Sequence, residues 1–331
     1  MDSSPAQPAP RIAVIVPAYG VAHLLGEALD SLQAQSFTDW EAIVIDDGAP
    51  DDVAAAVAPY LRDSRIRFLQ TPNGGVATAR NRAIAAARAP LIALLDGDDL
   101  FRPAYLGAMV AVMEADTAAS IATCNARVFG AVSSESEVVG PEQNRSATGS
   151  LLDLLGGRFN IYIGSTFRRA DFEAIGGFDT TMTHAEDLDL WVRLLLNGGH
   201  AHYLDALLGD YRVRAVSASR SLLKMIRGNI RVYDKVIAAR PGSEESALAS
   251  TLRAREEERA EVEEALAAVI AGDTGDALKA LRAHRHQMRN PVWSLAFGLW
   301  AFFPRLAPPM LAWRQNRHAT TVTPQAEFRA G

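Results

Sequence analysis

Three carboxylates crowd the end of one apolar run: Asp96, Asp98 and Asp99 in "LIALLDGDDL", residues 91–100, with Gly97 among them. A run of this length reads as a strand buried on both faces, and a buried strand cannot carry unpaired charge. The aspartates must therefore emerge at the strand's end, where something positive can meet them. Carboxylates placed there can hold a divalent cation. Mg²⁺ and Mn²⁺ take oxygen ligands and are commonly shared between one or two carboxylates and the phosphates of a substrate. Capping of the following helix accounts for one carboxylate, Asp99, and leaves Asp96 and Asp98 over. A second acidic pair, Asp46-Asp47, closes the apolar run "WEAIVIDD".

The elements that must position these acids alternate in the first hundred residues. "RIAVIVPAY", "WEAIVIDDG", "IRFLQT" and "LIALLDGDD" read as strands. "GEALDSLQAQ", "DDVAAAVAPYLR" and "GVATARNRAIAAAR" between them read as helices. Strands separated by single helices pair in parallel through right-handed crossovers, which predicts a doubly wound α/β sheet. In such sheets ligands bind at the carboxyl ends of the strands, so both acidic pairs converge on one rim. A helix over 102–119, an apolar segment over 119–130 and a polar loop over 133–150 follow. "NIYIGSTFRRADFEAIGGFD" reads as a strand, a short helix and a turn. "EDLDLWVRLLLNG" is a helix closed by Gly198 and Gly199, and "AHYLDALLGDYRVR" supplies one or two edge strands.

The chain has 331 residues, 49% of them apolar, and a formal charge of −6. No basic stripe marks its first two hundred residues, which argues against a nucleic-acid partner. One cysteine, Cys124, excludes an internal disulfide, fits a reducing compartment and reads as a small buried hydrophobe. Residues 1–10 form a short disordered lead without the features of a signal peptide. After Ser219 the pattern changes to long helices. "TLRAREEERAEVEEALAAVIAG" and "GDALKALRAHRHQM" read as one helical hairpin within 219–290. Residues 291–313, "PVWSLAFGLWAFFPRLAPPMLAW", are apolar but broken by prolines, whereas a span needs ~20 uninterrupted residues. They read either as interfacial helices, with Trp293, Trp300 and Trp313 at a headgroup boundary, or as helices packed on the catalytic core.

The strings "VIVPAYG", "WEAIVIDDGAPDD", "NGGVATARNRAI", "LLDGDDLFRPAYL", "GGFD" and "EDLDLWVRL", in this order, resemble a family 2 glycosyltransferase. The resemblance covers residues 11 to about 215. It implies the GT-A fold, a Rossmann-like, mostly parallel central sheet flanked by helices, here with a C-terminal helical extension. It also implies an inverting enzyme that takes a sugar from a nucleotide-sugar donor. The catalytic domain would span 11–218, with a nucleotide-binding half at 11–100 and an acceptor half at 101–218, and the apolar segment and tail would fill 291–331.

By that resemblance Pro17, Ala18 and Tyr19 lie against the nucleobase. Asp47 matches the residue that accepts the uracil N3–H, and Asp46 helps orient its loop. Gly74 and Gly75 let the backbone approach the nucleotide, and Arg80 stands where the family keeps a base-contacting arginine. Asp96 faces the ribose or the metal, and Asp98 is the direct ligand of Mn²⁺ or Mg²⁺. Asp187 matches the catalytic base, with Glu186 beside it as the alternative, while Asp189 faces elsewhere. Gly164 and Ser165 line the floor beneath sugar and acceptor. Many relatives have a histidine where this chain has Arg214, which can neutralise a diphosphate but cannot ligate a cation. The acceptor implied is a glycan or a lipid-linked glycan in cell-envelope or extracellular polysaccharide synthesis. That places the chain in the cytoplasm or at the cytoplasmic face of the membrane. A sugar nucleotidyltransferase would show a Gly-rich basic loop after the first strand, and "VPAYGVAHLLGEAL" has none. A non-catalytic scaffold would have no need of both Asp98 and Asp187.

Overall fold

The computed structural model describes residues 9–214, 222–287 and 291–318. The described residues divide into two compact units, one of residues 9–130 and 134–214, the other of residues 131–133, 222–287 and 291–318. The boundary expected at 218 falls outside the described residues, as does most of the expected lead.

In the first unit β1 (Ile12–Ala18), β2 (Trp40–Asp46), β3 (Ile66–Gln70) and β4 (Leu91–Leu94) lie parallel in the order β3-β2-β1-β4. They alternate with α1 (Ala22–Gln33), α2 (Val53–Val57) and α3 (Val76–Ala86). All of β1 except Pro17 and all of β2 are buried, which is why these strands read as unbroken apolar runs rather than alternating ones. The helix expected over 51–62 is shorter. Pro59 cannot donate into an α-helical ladder, and the chain tightens into a 3₁₀ turn over Ala58–Arg62.

Beyond β4 come β5 (Leu100–Phe101), α4 (Tyr105–Ala115), β6 (Ala119–Gly130), β7 (Ser136–Glu137) and β8 (Thr148–Gly149). They are followed by α5 (Leu151–Leu155), β9 (Thr166–Arg168), α6 (Arg169–Ala174), α7 (Glu186–Leu196) and β10 (His200–Val213). The sheet continues from β4 as β9-β6-β10-β5, with β7 on β6 and β8 on β10. Because β9 runs antiparallel to both β4 and β6, strands β6 and β10 point the same way as β1 to β4. The mostly parallel, helix-flanked sheet expected from the sequence is present.

Two local expectations change. The strand expected from Asn160 begins only at Thr166. The segment read as edge strands is one strand of 14 residues inside the sheet, with β6 on one side and β5 and β8 on the other. Its polar side chains are matched by partners inside the sheet, as Asp210 is by Arg102 and Arg127.

The second unit contains α8 (Leu222–Ala239), α9 (Glu244–Ile270), α10 (Asp276–Ala283), α11 (Pro291–Phe302) and α12 (Ala307–His318). Ser243 caps α9 by accepting from the Ser246 amide, so this helix starts earlier than the charged pattern suggested. Helix α9 packs against α8 as well as α10, so the hairpin expected from α9 and α10 has a third member. Trp300, Ala307 and Leu311 are buried with Val262, Val269, Leu278 and Leu281. Trp300 is therefore a core residue of this unit and not a boundary tryptophan. No described helix is long and apolar enough to cross a membrane.

Candidate functional site

Strands β1 and β2 end side by side, with Ala18 opposite Asp46, and the Leu95 amide continues the ladder by bonding to the Ile15 carbonyl. Pro17–Tyr19, Asp46-Asp47 and Asp96–Asp99 consequently share the carboxyl edge of the sheet. Tyr19 is 54% exposed there. Asp51 holds the loop beneath it, accepting from the amides of Gly20 (3.0 Å) and Ala22 (2.7 Å) at the start of α1.

The buried Asp46 carboxylate accepts from the Ala49 amide (2.8 Å) and from Gln70 Nε2 (2.9 Å), so it shapes the loop. Asp47, also buried, accepts from the Gly74 amide at 2.9 Å and draws the loop before α3 toward β2. That approach requires Gly48, whose φ is +66° and where a Cβ would lie 2.7 Å from the Asn73 nitrogen. The glycine of the Asp-Gly-Asp run has a similar cause. A Cβ on Gly97 would meet the Pro17 carbonyl oxygen at 3.0 Å and Val21 at 3.1 Å. The acidic turn thus packs directly under the end of β1.

Arg80 lies between two carboxylates. It is buried, and it donates to Asp96 Oδ1 at 2.7 Å and to Glu186 Oε1 at 3.2 Å. Burial pulls its pKa down, but the charges of Asp96 and Glu186 more than reverse this and leave it raised. Reaching a nucleobase would cost it both ion pairs. Arg80 is a clamp that ties the end of β4 to the start of α7.

Asp98 is bonded to Arg214 (Nε to Oδ2, 2.7 Å), which also reaches the Gly20 carbonyl at 3.4 Å. Burial, and then the charge of Asp96, raise the Asp98 pKa, and Arg214 opposes the rise. Asp99 is buried and accepts from the Arg212 amide at 2.8 Å, and its pKa stands well above the usual range for the same two reasons. Arg212 also donates to the Asp98 carbonyl (2.8 Å) and to Glu27 (2.7 Å). Carboxylates desolvated and crowded in this way favour a cation, and the oxygen-only donor set of Asp96 and Asp98 suits Mg²⁺ or Mn²⁺.

Ala185 precedes α7 in the left-handed region, at φ +58°. An alanine held there stores backbone strain of about 1–2 kcal/mol, and it turns the next two side chains into the site. Asp187 is half-buried. Burial, and then the Glu186 charge, raise its pKa to about 6. Asp189 turns away to pair with Arg193 at 2.7 Å. Gly164 and Ser165 are buried one layer below. The Gly164 carbonyl accepts from Tyr105, and the Ser165 hydroxyl bonds to Thr123 (2.7 Å) and the Tyr162 carbonyl. The Gly164 carbonyl and the Ser165 hydroxyl are thus satisfied within the protein.

Sequence reading missed Asp51, Arg212 and Tyr162. The Tyr162 hydroxyl is buried with no hydrogen-bond partner among the described residues, and Asp99 and Asp96 are among the charges acting on it. A signal for Arg212 existed. In "DYRVR" it lies two residues before Arg214 and so on the same face of one strand.

Comparisons with known proteins bear on the family and the fold. The family model "Glycosyl transferase family 2" matches residues 13–176. An uncharacterized glycosyltransferase, EpsJ, of Bacillus subtilis is 43% identical over 91 residues, covering 27% of this chain and 26% of that one. The first curated relatives are matched over about a quarter of their own length or less. The structure of S. aureus TarS 1–349 with UDP-GlcNAc aligns with a TM-score of 0.63 at 19% identity, covering 82% of this chain and 81% of that one. The mannosyltransferase PcManGT of Pyrobaculum calidifontis, with GDP-Man and Mn²⁺, aligns with a TM-score of 0.56 at 20% identity, covering 92% and 87%. The shared fold is that of the GT-A glycosyltransferases.

Proposed function

Residues 13–176 make this chain a family 2 glycosyltransferase, and on that premise we propose that it moves a sugar from a UDP-sugar, with inversion, to a hydroxyl of a glycan or lipid-linked acceptor. Cell-envelope or extracellular polysaccharide synthesis is the process this reaction serves. The observation that carries the reading is the Arg80 clamp. One buried guanidinium holds Asp96 of the donor edge and Glu186 of the acceptor helix, so the leaving group and the base act on one reaction centre.

The residues divide the work as follows. Tyr19 offers a ring face to the base, and Asp47 accepts its N–H. Asp98, with Asp96, would hold Mn²⁺ or Mg²⁺, which when bound supplies Lewis-acid stabilisation of the diphosphate. Arg214 and Arg212 add positive charge at the same edge. Asp187 accepts the acceptor's hydroxyl proton as that oxygen attacks the anomeric carbon, and the bonding pair of the donor's C–O bond departs with UDP. Glu186 is already paired with Arg80, which supports Asp187 as the base. In the second unit the exposed Leu295, Phe302, Phe303 and Trp313 suit a headgroup boundary, which would bring the chain to lipid-linked acceptors.

A melting panel of UDP- and GDP-sugars with and without Mn²⁺ tests the assignment. One UDP-sugar should raise the melting temperature in a Mn²⁺-dependent way, and Asp98→Ala should abolish that dependence and the transfer activity. Transfer by Asp98→Ala at the wild-type rate would overturn it. Co-sedimentation with anionic vesicles, lost on Phe302→Ser with Phe303→Ser, tests the membrane contact.

A further inference from the structure

Asp116, His200 and His202 form a cluster that the reaction does not use. Asp116 caps the end of α4, and the two histidines begin β10. Asp116 Oδ2 lies 2.8 Å from His200 Nε2 and 2.8 Å from His202 Nδ1, and the three potential ligand atoms are within 4.8 Å of one another. Positions 200 and 202 share one face of the strand by its period of two. The register shift between His200 and Ala201 puts the extra residue, Ser120, on β6, so β10 keeps its alternation through both histidines.

We propose that this cluster is a zinc site of two histidines and one carboxylate, separate from the cation position at Asp98. The donor set decides the metal. Two imidazole nitrogens with one carboxylate oxygen suit Zn²⁺, whereas Mg²⁺ prefers oxygen alone. The spacing is also close to what zinc needs. Bonds of about 2.0–2.1 Å in tetrahedral geometry put ligand atoms about 3.3 Å apart, so each 2.8 Å contact opens by about half an ångström, and the two histidine nitrogens, within 4.8 Å of each other, come to the same separation. The side chains are 21% and 27% exposed, which leaves the fourth position to water. Arg168 lies nearby but donates to the main-chain carbonyls of Met113, Asp116 and Ala119, not to the carboxylate.

The position indicates a structural clip. β10 runs in the same direction as β4, so His200 lies at the starting edge of the sheet and the Asp96–Asp98 turn at the opposite edge. Arg212 at the far end of β10 and Arg214 just beyond it hold Asp99 and Asp98. A metal joining residues 84 apart in sequence would close a long loop and anchor this strand at its root.

The test is Zn²⁺ uptake by the full, EDTA-stripped chain in the absence of nucleotide, followed by equilibrium dialysis with elemental analysis and by melting. Wild type should bind one Zn²⁺ and melt about 4 °C higher at a hundredfold excess over Kd. Co²⁺ in its place should show the intense visible absorption of a four-coordinate site. Asp98→Ala should keep this uptake. His202→Gln and Asp116→Asn should each lose it, while retaining Mn²⁺-dependent UDP binding at the other edge. Failure of the wild type to take up Zn²⁺, or uptake unchanged in His202→Gln and Asp116→Asn, would leave a hydrogen-bonded Asp–His cluster only. Loss of uptake in Asp98→Ala would move the metal to the nucleotide edge and overturn the proposal.

Discussion

Replacing Asp187 with asparagine separates two consequences of its environment that have opposite signs. Burial and the Glu186 charge raise the Asp187 pKa from 3.8 to about 6. A shift of about two units makes the ionised form cost the folded state about 3 kcal/mol at most. The folded chain binds this proton more tightly than the unfolded chain does. Stability is therefore highest below the unfolded value near 3.8 and falls as pH rises toward 6, with the full cost present above it. Asparagine keeps the shape and removes the charge. Asp187→Asn should accordingly be more stable than wild type by about 1–3 kcal/mol at pH 8, with the difference gone near pH 4. Transfer should move the other way. Loss of the general base should reduce kcat by about 10²–10⁴-fold, measured as UDP release with acceptor present. In the wild type Asp187 is about nine-tenths ionised at pH 7 and about one-tenth at pH 5, so kcat/KM should fall about tenfold between them. Glu186→Gln removes the second cause of the shift and should move that acid limb to lower pH. A flat profile from pH 5 to 7, or an Asp187→Asn variant that transfers normally and gains no stability at pH 8, would refute the assignment of the base.

Other substitutions probe the frame around the site. Arg80→Met leaves Asp96 and Glu186 without their buried counter-charge and should cost about 3–5 kcal/mol in urea unfolding at pH 7.5, so a loss under about 1 kcal/mol would contradict the clamp. Gly97→Ala forces a Cβ against the Pro17 carbonyl and should cost about 1–3 kcal/mol and weaken Mn²⁺-dependent UDP binding by calorimetry; unchanged affinity would argue against the tight turn. Burial pushes the Cys124 thiol up to about 12, so native protein at pH 8 should react with a thiol reagent at least about a thousandfold more slowly than protein in urea, and rapid native labelling would contradict its place in the core.

The acidic strand ends were legible because local pattern and local chemistry agree there. An apolar run such as "LIALL" must be buried, and its aspartates must leave it. Alternating strand and helix patterns then place Asp46, Asp47, Asp96 and Asp98 on one edge by topology alone. Partner choice was not legible in the same way. Nothing near Arg80 in sequence says that it reaches Glu186, 106 residues away, rather than a ligand. The alternation of "AHYLDALLGDYRVR" looks the same at an edge as in the interior, and only the pairing of β10 with β6, β5 and β8 decides between them. Trp300 likewise reads as an interfacial residue until its neighbours on α9 and α10 are known. The order of residues along the chain settles which groups are available and on which face they emerge. Which charges meet, and therefore which carboxylate keeps its proton, depends on distances across the fold, since desolvation and Coulomb terms act through space and not along the backbone.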